Sequence, residues 1–246
     1  MFCGAKPLTR EHVVSGWVSE VLNSHPRHRG APEPFVWRDK SGRIKGAHRR
    51  KIDIAVKVVC GPCNHGWMSQ IEERAIPVLK EMILGNVTRL GASERQSIAA
   101  WAALKAILLR YTAPGANAPE KAWLRELYLH QLPPETCFIW VAAYRGDVEF
   151  HYDSRQLLIQ RDPRKEPRPE WNFGNAINVT VLIGHLLINV LWVREGKVPK
   201  PDAAGLIRIW PDPDGDAVWP PPGVYEDDGL ERMSERFEAA TRHMRL

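Results

Sequence analysis

Cys60 and Cys63, separated by a glycine and a proline, constrain this chain more than any other feature of its sequence. A Cys-x-x-Cys turn brings two thiolates within reach of one zinc ion, and a helix usually begins directly after such a turn. Before the turn, apolar residues at positions 52, 54, 56 and 58 alternate with polar or small ones. The sequence therefore predicts a strand that runs into Cys60, a cysteine turn and a helix, arranged around a metal site.

Length and composition place the chain among ordinary globular proteins. It has 246 residues, of which 44% are hydrophobic and 26% charged, and this length suits one or two domains. The longest apolar run, 177–193, is interrupted by polar residues and predicts two strands, so we expect no membrane partner. Four cysteines, two of them in one turn, favour reduced, metal-binding thiols in the cytoplasm over a disulfide scaffold.

Positive charge is concentrated beside the cysteine turn. Residues 1–59 contain 12 Lys/Arg and 5 Asp/Glu, whereas residues 60–246 contain 22 and 24. A segment of this kind suits a polyphosphate surface, although a solvated basic loop is an equal alternative. The candidate nucleic-acid-binding residues, interleaved with His25, His28 and His48, are Arg27, Arg29, Arg43, Lys45, Arg49, Arg50 and Lys51.

Periodicity along the chain predicts an α+β protein with a helical middle and a mainly antiparallel C-terminal sheet. Capping boxes at Ser69-x-x-Glu72 and Ser93-x-x-Gln96 are expected to open two of the helices, with Glu72 and Glu73 as surface charges. Trp101, Trp123, Trp140, Trp192 and Cys137 are expected in the core. Predicted helices cover 13–22, 67–84, 98–111, 119–130 and 230–241, and later strands cover 137–144, 148–152, 157–160, 179–183, 186–193 and 206–210.

Three separate groups of residues together resemble the HNH endonucleases. They are Cys3-Gly4, the Glu11-His12 pair, and Cys60-x-x-Cys63 followed by Asn64. In that family a zinc-stapled ββα unit holds a histidine, an acidic or amide metal ligand and a catalytic cation against a phosphodiester. The resemblance implies a small zinc-binding, treble-clef-like ββα unit with a basic loop over residues 1–84. Residues 85–246 would then form a second region of unknown role.

The resemblance extends beyond the motif to a group of uncharacterised bacterial HNH-type proteins. The similar stretch runs from Val59 through the cysteine turn and Gly-Trp-Met-Ser to Glu72, then includes Gln96 and Trp101-Ala-x-x-Lys105. The strand after Gly184 and the later Trp-Pro-Pro segment are similar too. Trp17 and Trp67 flank the motif and are expected to pack the small unit.

The resemblance implies roles for four residues. His12 would be the general base, because an imidazole takes a proton from water at neutral pH. Glu11 would ligate a catalytic Mg²⁺ or Mn²⁺, which prefer oxygen ligands. Asn64 would be the second ligand of that cation, with His65 in reserve. The central asparagine of the family has no clear match in this chain.

A separate structural zinc ion is implied at Cys3, Cys60 and Cys63. The family pattern Cys-x-x-Cys-Gly would place a further cysteine one residue before Met1. Three alternatives therefore stay open: a different fourth ligand such as His48, a degenerate site, or a start codon that lies further upstream. Ser15 is a second departure, since relatives often have proline there.

The resulting expectation is a metal-dependent HNH-like endonuclease that hydrolyses DNA phosphodiester bonds, with RNA an open alternative. A non-catalytic treble-clef zinc module, which binds nucleic acid or a protein partner, is the competing interpretation. The Glu11-His12 pair favours the enzyme. The missing family asparagine and the missing first cysteine favour the module.

Overall fold

The computed structural model describes residues 1–24, 35–38, 44–47, 54–112, 119–157, 176–194, 205–211 and 215–227. These ranges form a mixed α+β fold with an N-terminal pair of strands, a helical middle and a C-terminal antiparallel sheet. The predicted α+β class is therefore confirmed. The predicted C-terminal helix at 230–241 lies outside the described residues.

Two pairs of strands and a short helix form the N-terminal part. Strand β1 (Leu8–His12) is followed by α1 (Gly16–Ser24), a hairpin of β2 (Phe35–Arg38) and β3 (Ile44–Ala47), and β4 (Ala55–Cys60). β1 and β4 are antiparallel, with a bulge between Thr9 and Glu11, and β4 confirms the strand predicted before Cys60. The predicted helix start at residue 13 is wrong, because the Val13 amide bonds the Ile54 carbonyl at 2.7 Å and prolongs the strand pairing.

A helical segment with a kink at Gly66 follows the first cysteine of the turn. It comprises α2 (Gly61–Cys63), a π-helical turn (Asn64–Met68) and α3 (Ser69–Ile83). The predicted capping box at Ser69 is wrong, because Ser69 already has helical backbone angles and its amide bonds the Gly66 carbonyl. Ser69 Oγ instead donates to Glu73 Oε1 at 3.2 Å.

The middle of the chain is organised around one buried helix. β5 (Thr88–Leu90) leads into α4 (Ala92–Arg110), and α5 (Lys121–His130) follows. The second predicted capping box is also wrong, because α4 begins at Ala92 with Gly91 as its N-cap. Fourteen of the nineteen α4 residues are buried, since the helix lies between α3 and the sheet. No helix in the described ranges is long and apolar enough to cross a membrane.

The C-terminal sheet has the strand order β10-β6-β9-β8-β7, and β12 joins β6 in parallel. β11 pairs separately with β5. The predicted break between strands 148–152 and 157–160 is wrong, because β7 pairs with β8 without interruption from Phe150 to Leu157. The strands are β6 (Cys137–Tyr144), β7 (Phe150–Leu157), β8 (Ala176–Ile183), β9 (Leu186–Val193), β10 (Ile207–Trp210), β11 (Ala217–Trp219) and β12 (Val224–Tyr225).

One hydrophobic core joins the N-terminal strands, the helices and one face of the sheet. It contains buried residues on both sides of position 84, the predicted domain boundary. The four tryptophans expected in the core, and Cys137, are all buried, which confirms those predictions. Burial also raises the pKa of the Cys137 thiol well above its ordinary value.

The turn between β8 and β9 fixes the sheet against the end of α3. Gly184 occupies this two-residue turn with φ 55°, and His185 donates its amide to the Ile83 carbonyl at 3.0 Å. A Cβ atom on Gly184 would lie 2.6 Å from that same carbonyl oxygen. Both the backbone conformation and the close approach therefore require glycine.

Replacing Gly184 with alanine tests this requirement. We expect Gly184→Ala to lower the free energy of unfolding by more than the roughly 1–2 kcal/mol that a left-handed residue costs alone. Gly215→Ala is the matched control, since Gly215 has φ 53° but a Cβ atom added there would meet none of the described residues beyond its chain neighbours within 4 Å. Urea unfolding measures both, and equal losses would contradict the close-contact argument.

Candidate functional site

Three cysteines from two distant parts of the chain meet at one end of the β1–β4 pair. Cys3 Sγ lies 3.2 Å from Cys60 Sγ and 3.4 Å from Cys63 Sγ. All three sulfur atoms lie within 4.8 Å of one another. Thiolates bound to one zinc ion at about 2.3 Å need similar separations, so the cysteine cluster is compatible with a zinc site.

The surroundings of the cysteine cluster suit metal-bound thiolates. Hydrogen bonds from the Ala5 backbone and then from Cys60 and Cys63 lower the pKa of Cys3 to about 7. Burial raises the pKa of Cys63 to about 11, although the nearby Trp67 indole acts to lower it. The Trp67 N–H is buried and lacks a normal hydrogen-bond partner within the described part of the chain. A Cys63 thiolate would give this N–H an acceptor, which supports the fit of a metal ion.

Aromatic packing holds the N-terminal residues beside the cysteines. The rings of Phe2 and Trp67 meet edge to face at 4.8 Å, and Tyr128 of α5 contacts Trp67 at 5.7 Å. The Met1 amino group donates to the Val58 carbonyl at 2.9 Å. The expected packing role of Trp67 is therefore confirmed. Among the described residues the cluster offers three ligands, and His48, the suggested fourth, lies outside them.

Two of the predicted catalytic residues are in contact a short distance from this cluster. Glu11 lies on β1 and is 8% exposed, and Asn64 directly follows Cys63. The Asn64 side chain hydrogen-bonds Glu11 and also donates from Nδ2 to Thr9 Oγ1 at 3.2 Å. The strand pairing thus brings together a carboxylate and an amide that are far apart in sequence.

Glu11 also belongs to a buried group of charges around Lys105. Lys105 Nζ lies 3.7 Å from Glu11 Oε1 and 3.6 Å from Glu72 Oε1. The same ammonium donates to Ser15 Oγ at 3.1 Å and to the His12 carbonyl at 3.2 Å. We call Glu11, Ser15, Glu72 and Lys105 the Lys105 cluster.

Glu72 is the better compensated of the two carboxylates. It accepts hydrogen bonds from Ser15 Oγ and, at 2.9 Å, from Trp17 Nε1. Burial acts to raise its pKa, but Lys105 and these hydrogen bonds together hold the pKa below its ordinary value. Burial raises the pKa of Glu11, because the attraction of Lys105 is partly offset by repulsion from Glu72. When Glu11, Glu72 and Lys105 are all ionised, the cluster carries one excess negative charge. The unfavourable energy of this charge falls mainly on Glu11, the carboxylate whose pKa is raised.

The remaining predicted residues have different surroundings. His12 is half-buried at the end of β1, opposite Ala55, while His65 is exposed on the π-helical turn. Lys45 lies on β3. The other six basic residues proposed to bind nucleic acid, at positions 27, 29, 43, 49, 50 and 51, lie outside the described residues.

Sequence reasoning missed the Lys105 cluster. Glu72 was expected as a surface charge, but its side chain is only 21% exposed and is paired with Lys105. Ser15, noted as a departure from proline, donates to Glu72 and accepts from Lys105. The available signal was the similar stretch itself, which contains Glu72 and Lys105 without assigning them a role.

Comparison with known proteins adds no relative: the chain matches no protein-family model, no curated protein and no solved structure. Its function is therefore argued from the geometry of the site.

The cysteine cluster predicts that the purified protein binds about one zinc ion per chain. Cys3→Ser should lower the zinc content sharply, because it removes one of three converging thiolates. Cys137→Ala is the control, since that thiol is buried in the sheet. Elemental analysis measures both variants. Zinc-free protein from zinc-supplemented growth, or full zinc content in Cys3→Ser, would contradict the prediction.

Proposed function

We propose that this protein is a metal-dependent, HNH-like endonuclease that hydrolyses DNA phosphodiester bonds. The observation that carries the proposal is the approach of the Asn64 side chain to Glu11, beside the cysteine cluster. His12 follows Glu11 directly on the same strand. A carboxylate, an amide and an imidazole near a candidate zinc site are the groups that this chemistry requires.

Each of these residues has a distinct proposed role. The Glu11 carboxylate and the Asn64 amide oxygen would hold Mg²⁺ or Mn²⁺ once the amide nitrogen, which now donates to Thr9 and toward Glu11, turns away from the carboxylate. When bound, such a cation stabilises negative charge on the phosphate and on the departing 3′-oxygen. His12 would accept the proton of the attacking water, which an imidazole can do at neutral pH.

The zinc ion in this proposal is structural. Cys60 ends β4, Cys63 ends α2, and Asn64 is the next residue, so an ion bound by the cysteines would fix Asn64 relative to β4. Small strand–helix units have little core of their own, and a bound metal contributes directly to their folding free energy. The β1–β4 pair with the helix that follows would then be the treble-clef-like ββα unit.

DNA is the proposed partner because residues 1–59, which include Glu11 and His12, carry the chain's excess of positive charge. Phosphate contacts of this kind make binding strongly dependent on salt. RNA carries the same phosphates and stays an alternative substrate. The assay below therefore includes both nucleic acids.

One observation favours a second function, that of a non-catalytic zinc module which binds nucleic acid. Glu11 is buried and already has Lys105 as a partner. In that case the Lys105 cluster would be purely structural, and the basic segment would supply the binding energy.

Removing the proposed base separates the two functions. His12→Ala should slow nicking of supercoiled plasmid, or cleavage of labelled RNA, by about 10²–10⁴-fold in Mg²⁺ or Mn²⁺. Zinc content should stay unchanged, since His12 is not a ligand in the cysteine cluster. Nucleic-acid binding by the wild-type protein without cleavage in any divalent cation would instead support the zinc module.

A second pair of variants tests the proposed cation ligands. Asn64→Ala should raise the Mn²⁺ concentration needed for half-maximal nicking, because it removes an amide oxygen next to Glu11. His65→Ala is the matched neighbour, and its exposed side chain should leave the Mn²⁺ requirement unchanged. Titration of the nicking rate with Mn²⁺ measures both. A raised Mn²⁺ requirement in His65→Ala, with an unchanged one in Asn64→Ala, would assign the ligand role to His65.

A further inference from the structure

Lys105 contacts the end of β1 from the middle of a distant helix. Its side chain is 4% exposed, and Nζ lies within 3.7 Å of oxygen atoms from Glu11, Ser15 and Glu72. It also donates to the main-chain carbonyl of His12 at 3.2 Å. Two of these contacts therefore fall on the adjacent residues that carry the proposed reaction.

The other contacts hold the ammonium itself in place. Glu72 is fixed by hydrogen bonds from Ser15 and Trp17, and it lies on α3, which packs against α4. Lys105 is thus anchored to two helices on one side and contacts β1 on the other. Glu11 in turn lies between Lys105 and Asn64.

We propose that Lys105 is a positioning residue, which fixes the Glu11 carboxylate and the His12 backbone in the arrangement that the reaction requires. The inference rests on the proposed nuclease function and deepens it. A role in packing alone would not need an ammonium, because buried ion pairs are often replaced by apolar side chains without loss of stability. The hydrogen bond from Lys105 to the His12 carbonyl fixes the backbone of His12, and the backbone determines where the His12 side chain starts.

A charge-balanced double variant tests the proposal. Lys105→Met together with Glu72→Gln removes one positive and one negative charge, so the net charge of the cluster does not change. The amide introduced by Glu72→Gln keeps an oxygen that can accept the bonds from Ser15 and Trp17. Glu72→Gln alone is the control for the change at Glu72, because it retains Lys105, and the wild type is the control with the same net charge as the double variant. Zinc content and urea unfolding establish that each variant is folded.

The expected loss of function is confined to the metal-dependent step. Relative to Glu72→Gln, the double variant should lose about 10–100-fold in nicking rate or in Mn²⁺ affinity, the usual effect of removing a residue that orients a metal ligand. DNA affinity should match that of the control, whereas the urea midpoint should be lower, because Glu11 stays buried without its ammonium partner. A folded double variant with the kinetics of Glu72→Gln would overturn the proposal.

If the double variant does not fold, Lys105→Arg tests whether Lys105 is a positioning residue. Arginine preserves the charge but places a larger, planar group against Glu11 and His12. If Lys105 positions Glu11 and His12, Lys105→Arg should have a lower nicking rate and a weaker Mn²⁺ affinity. If Lys105 only compensates charge, Lys105→Arg should have wild-type kinetics, and that result would overturn the proposal. A wild-type protein that cleaves nothing overturns the nuclease function and this inference with it. An active wild type with unaffected folded variants overturns only the inference.

Discussion

The ammonium of Lys105, held between two carboxylates, is the interaction on which the geometry of the site depends. Moving three charges out of water is costly, and the cost is recovered only when all partners are in place. Here the partners come from β1, the residues that follow it, α3 and α4. Removing either the ammonium or the packing of α3 on α4 would leave a buried carboxylate without compensation. The N-terminal strands are therefore tied to the larger core by electrostatics as well as by apolar contact.

The β1–β4 pair is held at both of its ends. At one end Leu8 lies opposite Cys60, beside the three cysteines, and at the other His12 lies opposite Ala55, where Lys105 binds the carbonyl of His12. Glu11 and its hydrogen-bond partner Asn64 lie between these two attachments. A two-stranded pair is marginally stable alone. Its fixed ends explain how such a short pair can hold side chains in a defined arrangement.

The parts of the site that sequence predicted are those that depend on local pattern. Alternation before Cys60 predicts β4, and the resemblance brings Cys3 next to Cys60. Glu72 and Lys105 could not be paired in this way, because their contact requires α3 to pack on α4 in one register. The two capping boxes failed for a related reason. A Ser-x-x-Glu pattern marks a helix start only where amides lack partners, and Ser69 already has helical backbone angles with its amide bonded to the Gly66 carbonyl.

The ion pair between Glu11 and Lys105 leaves Glu11 able to take its proposed role as a cation ligand, although the carboxylate is buried. An ionised carboxylate has two oxygens and about four acceptor positions. Lys105 approaches Oε1, and one ammonium shared by two carboxylates leaves an excess negative charge in the cluster. A divalent cation bound by Glu11 and Asn64 would compensate that charge, whereas a purely structural cluster would retain its cost. The excess charge is thus an electrostatic reason, independent of any sequence motif, to favour a cation at Glu11.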